Sequence, residues 1–294
     1  MNLLYCLDEN YNNQCITSVS SVLKNNYVNN LFFIHKNPKR FPIGKITNKT
    51  KDKVNNITIF EFDQKLFNNL KAEELNLNNS HVSSATYYRL FIDHYLPNTL
   101  QDILYLDSDI ICVKSFEKEY INMFKKLTKN NLTISARVIG DGVKNKDLLD
   151  RLGMKSNKYF NAGVLFINLD NWRKNKVESS LQKLLFSKKF EYHDQDILNL
   201  FFDGRVQELS SKLNYLLKAN ESPDNQNLVD SFVEKEAILL HYIGASKPWD
   251  KKNHYSKNSR YYFENYDEVF QKNFNAYNNF IKFFKVFGQN KKLK

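Results

Sequence analysis

The run Ile103 to Val113, ILYLDSDIICV, constrains this chain most, because it is apolar and β-type on both flanks yet carries two aspartates one residue apart at its centre. Unpaired buried charge is costly, so such acids must reach an edge, a cation or a reacting group. On one continuous strand, alternation turns Asp107 and Asp109 to one side and Ser108 to the other. Two carboxylates on one side of a strand end make a seat for a hard divalent cation such as Mg²⁺ or Mn²⁺, which can in turn hold a diphosphate. The competing reading is a strand that runs into a turn where both acids meet water.

The 294 residues allow one large domain or two small ones, and a hydrophobic content of 42% can bury a proper core. Only 8 Gly and 5 Pro speak against a linker-rich array. Cys6, Cys15 and Cys112 are odd in number and lie in apolar segments, which reads as reduced thiols in a cytosolic protein. The start MNLLYCLDEN lacks a basic region and Asp8 interrupts its apolar run, so no secretory signal is expected, and no stretch is long enough to cross a bilayer. A net charge of +11 raises the question of nucleic acid, but the lysines are scattered and no recognisable nucleic-acid module is present, so no such partner is expected. Five lysines and no acid follow from Lys282 onward; a basic, aromatic end of this kind suits an anionic inner membrane surface.

In chain order, Leu3–Leu7 reads as a strand, the helical spacing of Cys15, Ile16, Val19, Val22 and Leu23 as a helix ending at Asn25 and Asn26, and Leu31–Ile34 as a second strand. This unit builds parallel sheets whose ligands sit at the carboxyl ends of the strands, where Asp8, Glu9, Asn10 and Tyr11 fall, although an ordinary capped loop accounts for them equally. Ile57–Phe62 is a further strand. SSATYYRLFIDHYLP reads as a helix capped by Ser83 or Ser84 and stopped by Pro97, with Arg89 either solvated or aimed at phosphate or sugar. Leu132–Val138 and Gly163–Leu169 read as strands, with Asn161, Ala162 and Gly163 as a tight turn or a close backbone approach, and with Asp170 as a helix cap. HDQDILNLFF opens a helix at His193, where Asp194 is an N-cap or, with Gln195, faces a ligand. Ile238–Trp249 delivers His241 and then Gly244 and Lys247 at three-residue steps, a pattern suited to phosphate. Phe270, Phe274, Tyr277, Ile281 and Phe284 form one helical face, read either as packing on the domain or as membrane contact.

Six segments in this order, LDENYN, TYYRL, ILYLDSD, YFNAGVLFINL, HDQDILN and HYIGASKPW, resemble glycosyltransferase family 8, which includes bacterial lipo-oligosaccharide galactosyltransferases and glycogenin. The resemblance covers about the first 250 residues. It implies an α/β fold: a single GT-A-type nucleotide-sugar-binding domain over residues 1–250, with a mostly parallel mixed sheet flanked by helices, followed by a basic helical tail over 251–294. It also implies a UDP-sugar donor, a glycan acceptor and Mn²⁺ or Mg²⁺ held by Asp107, Asp109 and His241. Asp8 and Asn10 would hold uracil and ribose, with Glu9 and Tyr11 also in the donor-binding set, Ser108 would contribute through its backbone, and Gly244 and Lys247 would hold the diphosphate. Arg89, Asn161, Asp194 and Gln195 would surround the donor sugar, with Ala162 also in the donor-binding set and Asp194 and Gln195 as the candidate catalytic residues.

Two rival readings use the same residues. A haloacid-dehalogenase-type phosphatase would make Asp107 the nucleophile and Asp109 the acid, with GDG at Gly140–Gly142 as its late acidic motif. A catalytically dead, membrane-binding relative would leave Asp107, Asp109, His241 and Lys247 without a task.

Overall fold

A computed structural model describes residues 1–46, 51–67, 83–139, 146–221, 223–254 and 256–271. Its centre is a seven-stranded sheet in the order β3-β2-β1-β4-β7-β6-β8. The strands are β1 (Asn2–Leu7), β2 (Val28–His35), β3 (Val54–Glu61), β4 (Asp102–Leu106), β6 (Ile134–Val138), β7 (Phe160–Asn168) and β8 (Val206–Glu208). β1 pairs in parallel with β2 and β4, β2 with β3, and β6 with β8, whereas β7 runs antiparallel to both β4 and β6. The sheet is thus mixed and mostly parallel. A second sheet joins β5 (Ile110–Cys112), β10 (Leu239–Tyr242) and β9 (Tyr215–Leu217).

Period-two alternation divides the core between the two faces of the large sheet. Leu4, Cys6, Ile34, Ile103, Tyr105, Leu165 and Ile167 pack beneath the helical segments Ser84–Tyr95, Val177–Leu185 and His193–Phe202. Leu3, Tyr5, Leu7, Phe33, Leu104, Leu106 and Phe166 pack on the other face against the helices Asn12–Asn25 and Glu117–Lys129. Each fully buried Leu, Ile or Phe in these layers contributes about 1.5–3 kcal/mol of transfer free energy.

Several local expectations change. ILYLDSDIICV is two strands, not one: β4 ends at Leu106, Asp107–Asp109 form a turn, and β5 continues in the smaller sheet. Ser84–Phe91 is a 3-10 helix that leads into a short α-helix, Ile92–Tyr95, and Ser83 caps it by accepting from the Ala85 N–H. Asn161–Gly163 lie inside β7 rather than in a turn. The helix Leu169–Lys174 is capped by Asn168, whose side chain accepts from the Asn171 N–H, so Asp170 is a first-turn acid and not the cap. The helix His193–Phe202 begins where expected, but its cap position is Tyr192 and Asp194 is buried with other partners.

The helix Arg260–Phe270 lies against Asn12–Asn25, where Val269 enters the core and Phe270 packs partly buried against it. Phe274, Tyr277, Ile281 and Phe284 lie outside the described residues, as does the Gly140–Gly142 motif. No helix among the described residues is long and apolar enough to cross a membrane.

Candidate active site

Topology brings four chain segments to one edge. β1 and β4 are parallel neighbours, so Asp8 and Asp107, each just past its strand, emerge side by side. β7 is antiparallel to β4, which sets its first residues at the same edge, and the Asp107 N–H donates to the Gly163 carbonyl at 2.9 Å. β10 pairs antiparallel with β5, with His241 opposite Ile110, and this pairing carries the imidazole to the Asp-Ser-Asp turn.

One ligand atom each from Asp107, Asp109 and His241 lies within 4.8 Å of the others. His241 Nε2 is 3.7 Å from Asp107 Oδ2 and 3.2 Å from Asp109 Oδ1, while its Nδ1 faces Asn214 Oδ1 at 3.0 Å. Asp109 Oδ1 is buried without a hydrogen bond, so the imidazole near it does not satisfy it. Lys247 Nζ meets the other oxygen, Oδ2, at 2.6 Å. Burial pushes the Asp109 carboxyl up, but the Lys247 ammonium and His241 outweigh it and hold the group well below the usual carboxylate range. A Cβ on Gly163 would lie 2.2 Å from His241 Cε1 and 2.8 Å from Asp107 Oδ2, so only glycine leaves room for both side chains.

Beside this cluster Arg89, only 7% exposed, serves two acids. Its Nη2 is 2.8 Å from Asp107 Oδ1, its Nε is 2.9 Å from Asp194 Oδ2, and its Nη1 donates to the Ala162 carbonyl at 2.7 Å. The Nε hydrogen points to the Thr86 carbonyl, which leaves Asp194 Oδ2 with a charge contact but no hydrogen bond. Thr86 donates to the other Asp194 oxygen at 2.5 Å. Burial raises the Asp194 carboxyl despite the opposing pull of Arg89 and Thr86. The Tyr105 hydroxyl donates to Asp107 at 2.6 Å, and its ring lies under the guanidinium.

Two adjoining hollows share Thr86, Arg89 and Asp107. Asp8, Tyr11, Ser108 and Asp109 line the first; Ala162, Gly163, Tyr192, Asp194 and Gln195 line the second. Asp8 is buried and accepts from the Asn10 N–H, Asn10 is exposed, and Glu9 lies 3.7 Å from Arg40. Tyr11 contacts Trp249 edge to face, so the loops after β1 and β10 meet. Asn161 stands behind Gln195, and Gly244 occupies an exposed turn at φ +68°. Sequence reasoning missed Thr86, Tyr105 and Asn214. Thr86 adjoins TYYRL's tyrosines and Tyr105 belongs to the central run, but Asn214 lies in SKLNYLL, which carries no motif.

An edge-sited carboxylate–imidazole cluster that could hold a metal ion lies beside two hollows, and residues 2–253 match the description Glycosyl transferase family 8. The chain belongs to this family. Family 8 membership makes it a glycosyltransferase and sets aside the phosphatase reading of Asp107. Over 274 residues the chain is 30% identical to a lipopolysaccharide 1,2-glucosyltransferase of Escherichia coli, covering 90% of this chain and 77% of that protein. It is 27% identical over 264 residues to a lipopolysaccharide 1,3-galactosyltransferase of Salmonella typhimurium, covering 84% and 72%. Among solved structures, galactosyltransferase LgtC in complex with donor and acceptor sugar analogs superposes with a TM-score of 0.69 at 21% identity, covering 91% of this chain and 96% of that one. This family 8 chain thus has the expected GT-A-type fold.

Proposed function

We propose that this protein is a retaining, metal-dependent hexosyltransferase that moves galactose or glucose from a UDP-sugar to a hydroxyl of a glycan acceptor, a lipo-oligosaccharide or another cell-envelope or protein-linked glycan. The observation that carries the reading is the convergence of Asp107, Asp109 and His241 with an unbonded buried oxygen on Asp109. Asp107, Asp109 and Asp194 set three carboxylates against two permanent cations, Arg89 and Lys247, a balance that suits an added dication.

In this reading Asp107, Asp109 and His241 hold Mn²⁺ or Mg²⁺, and Asp8, Glu9, Asn10, Tyr11 and Ser108 receive uracil and ribose. The cation supplies Lewis-acid stabilisation of the departing diphosphate. Lys247, already beside Asp109, adds positive charge where negative charge grows as the anomeric C–O bond breaks, and Gly244 lets its backbone approach the phosphates. Arg89, Asn161, Ala162, Asp194 and Gln195 bound the sugar, and Oδ2 of Asp194, ion-paired with Arg89 but without a hydrogen bond, is an acceptor for a sugar hydroxyl.

Retention by double displacement needs a carboxylate beneath the sugar. Asp194 is engaged by Thr86 and Arg89, and Gln195 Oε1 already accepts from the Ala162 N–H at 3.0 Å, so neither is a free nucleophile. Front-face attack, with the leaving phosphate taking the acceptor proton, fits these engagements better. Two of the similar proteins are lipopolysaccharide glycosyltransferases, which supports an envelope acceptor, and the basic segment from Lys282 would hold a cytoplasmic enzyme against an anionic membrane.

The test is a screen of UDP-sugars for Mn²⁺-dependent transfer and hydrolysis, with NMR reading the product anomer. Retained configuration from UDP-galactose or UDP-glucose is expected; hydrolysis of a generic phosphoester with no UDP dependence refutes the reading.

A further inference from the structure

The amide of Asn214 is fully buried between the imidazole of His241 and the side chain of Asn161. An amide can face two neighbours in either of two orientations, and the tautomer of a histidine depends on the choice. Here a backbone group decides. The Gly163 N–H donates to Asn161 Oδ1 at 3.1 Å, so that atom is an oxygen. The Asn214 atom that meets it at 2.9 Å must then be the nitrogen. Its oxygen therefore faces His241 Nδ1, which must carry a proton, and in the neutral imidazole Nε2 then presents its lone pair toward Asp107 and Asp109. A second backbone donor, the Ala162 N–H, orients Gln195 in the same way, since its Oε1 accepts from Ala162 and from Asn161 Nδ2. Gln195 Nε2 then donates to the Tyr159 hydroxyl at 3.1 Å, and that hydroxyl donates to Asp196 at 2.6 Å.

We propose that Asn214 is a positioning residue with two separable tasks. Its carbonyl oxygen holds His241 in the Nδ1–H tautomer that can ligate a cation, and its NH₂ holds Asn161 and, through it, Gln195 against the sugar hollow. In water a neutral imidazole prefers the proton on Nε2, which would block ligation, so the tautomer has to be imposed. Groups one shell out from a metal site commonly change metal affinity or activity 10–100-fold. The proposal rests on the metal and donor-sugar roles given under Proposed function.

Two variants separate the tasks. Asn214→Asp keeps an acceptor for His241 Nδ1–H but has no donor for Asn161; Asn214→Ala has neither. The first measurement is ¹⁵N NMR of the metal-free full chain at a pH where His241 is neutral, and the expected wild-type and Asn214→Asp signature is a protonated Nδ1. The second is Mn²⁺ titration by electron paramagnetic resonance without nucleotide: Asn214→Ala should weaken binding about tenfold or more, and Asn214→Asp should bind at least as tightly as wild type. The third is transfer at saturating Mn²⁺, where Asn214→Asp should lose about tenfold in kcat with little change in donor KM.

A wild-type His241 protonated on Nε2 overturns the proposal. So does an Asn214→Ala protein with wild-type tautomer and Mn²⁺ affinity. Should Asn214→Ala fail to fold, Asn214→Asp decides: loss of Mn²⁺ affinity together with kcat, or of neither, overturns the two-task assignment. Absence of transfer from every UDP-sugar would refute the donor reading, whereas the tautomer and Mn²⁺ measurements would still report on Asn214.

Discussion

The half-buried Asp109 and the buried Asp194 both face basic side chains, yet their carboxyls shift in opposite directions. Asp109 has Lys247 to itself and lies nearer His241 than Asp107 does, while Asp194 shares one guanidinium with Asp107. The carboxylate at the cation seat thus has an ammonium of its own, and the one at the sugar hollow has only a shared guanidinium. The anchors differ as well. Arg89 is a planar fork that also binds two backbone carbonyls and belongs to the scaffold, whereas Lys247 is a flexible point charge on the loop after β10.

The sharpest way to break this contrast is to remove the shared cation. Arg89→Ala leaves the buried Asp194 and the partly exposed Asp107 without their partner and should cost about 3–5 kcal/mol in chemical denaturation, the expectation for breaking a buried pair. Arg89→Lys should recover only part of it, because an ammonium cannot fork between two acids and a carbonyl. A loss below about 1 kcal/mol, typical of an exposed pair, would show that the guanidinium is not balancing them.

At the other pole, Asp109→Asn should fold normally but lose Mn²⁺-dependent UDP binding by about a hundredfold or more, read by calorimetry. Chelation of wild type should have the same effect, and unchanged UDP affinity in the variant would remove the metal role. Lys247→Ala should weaken UDP binding about tenfold, in the range of one charged hydrogen bond, and should also lower the melting temperature, because Asp109 loses its ammonium partner.

The smallest effect tests the shortage at Asp194. Its carboxyl is raised in the fold, chiefly by burial, above its ordinary 3.8. Its contribution to stability is therefore fully present below pH 3.8 and is lost as pH rises through the folded value. Asn in its place cannot ionise, so Asp194→Asn should gain stability relative to wild type at neutral pH, by less than Arg89→Ala loses, and the gain should vanish in acid. Equal stability at both pH values would show that Arg89 and Thr86 already offset the burial.

Much of this layout was legible from residue pattern. The unit from Leu3 to Ile34 and the helix His193–Phe202 follow from apolar periodicity, which local chemistry controls. The Asp-Ser-Asp run misled in one respect: its apolar flanks look like one strand because each is buried, and nothing local reveals that they serve different sheets. Asp194 carries the residue type of a helix cap, and only the approach of Arg89 and Thr86 from another segment draws it inward. Asn214 was invisible because its task is defined by partners 27 and 53 residues away.

The turn Asp107–Asp109 is the seam between two sheets, and His241 crosses it from the smaller side. Any ligand gripping all three side chains would staple β5, β10 and β9 to the large sheet. Occupancy should therefore be readable far from the chemistry, as slowed amide exchange in Leu239–Tyr242 and as a melting temperature that climbs with ligand concentration.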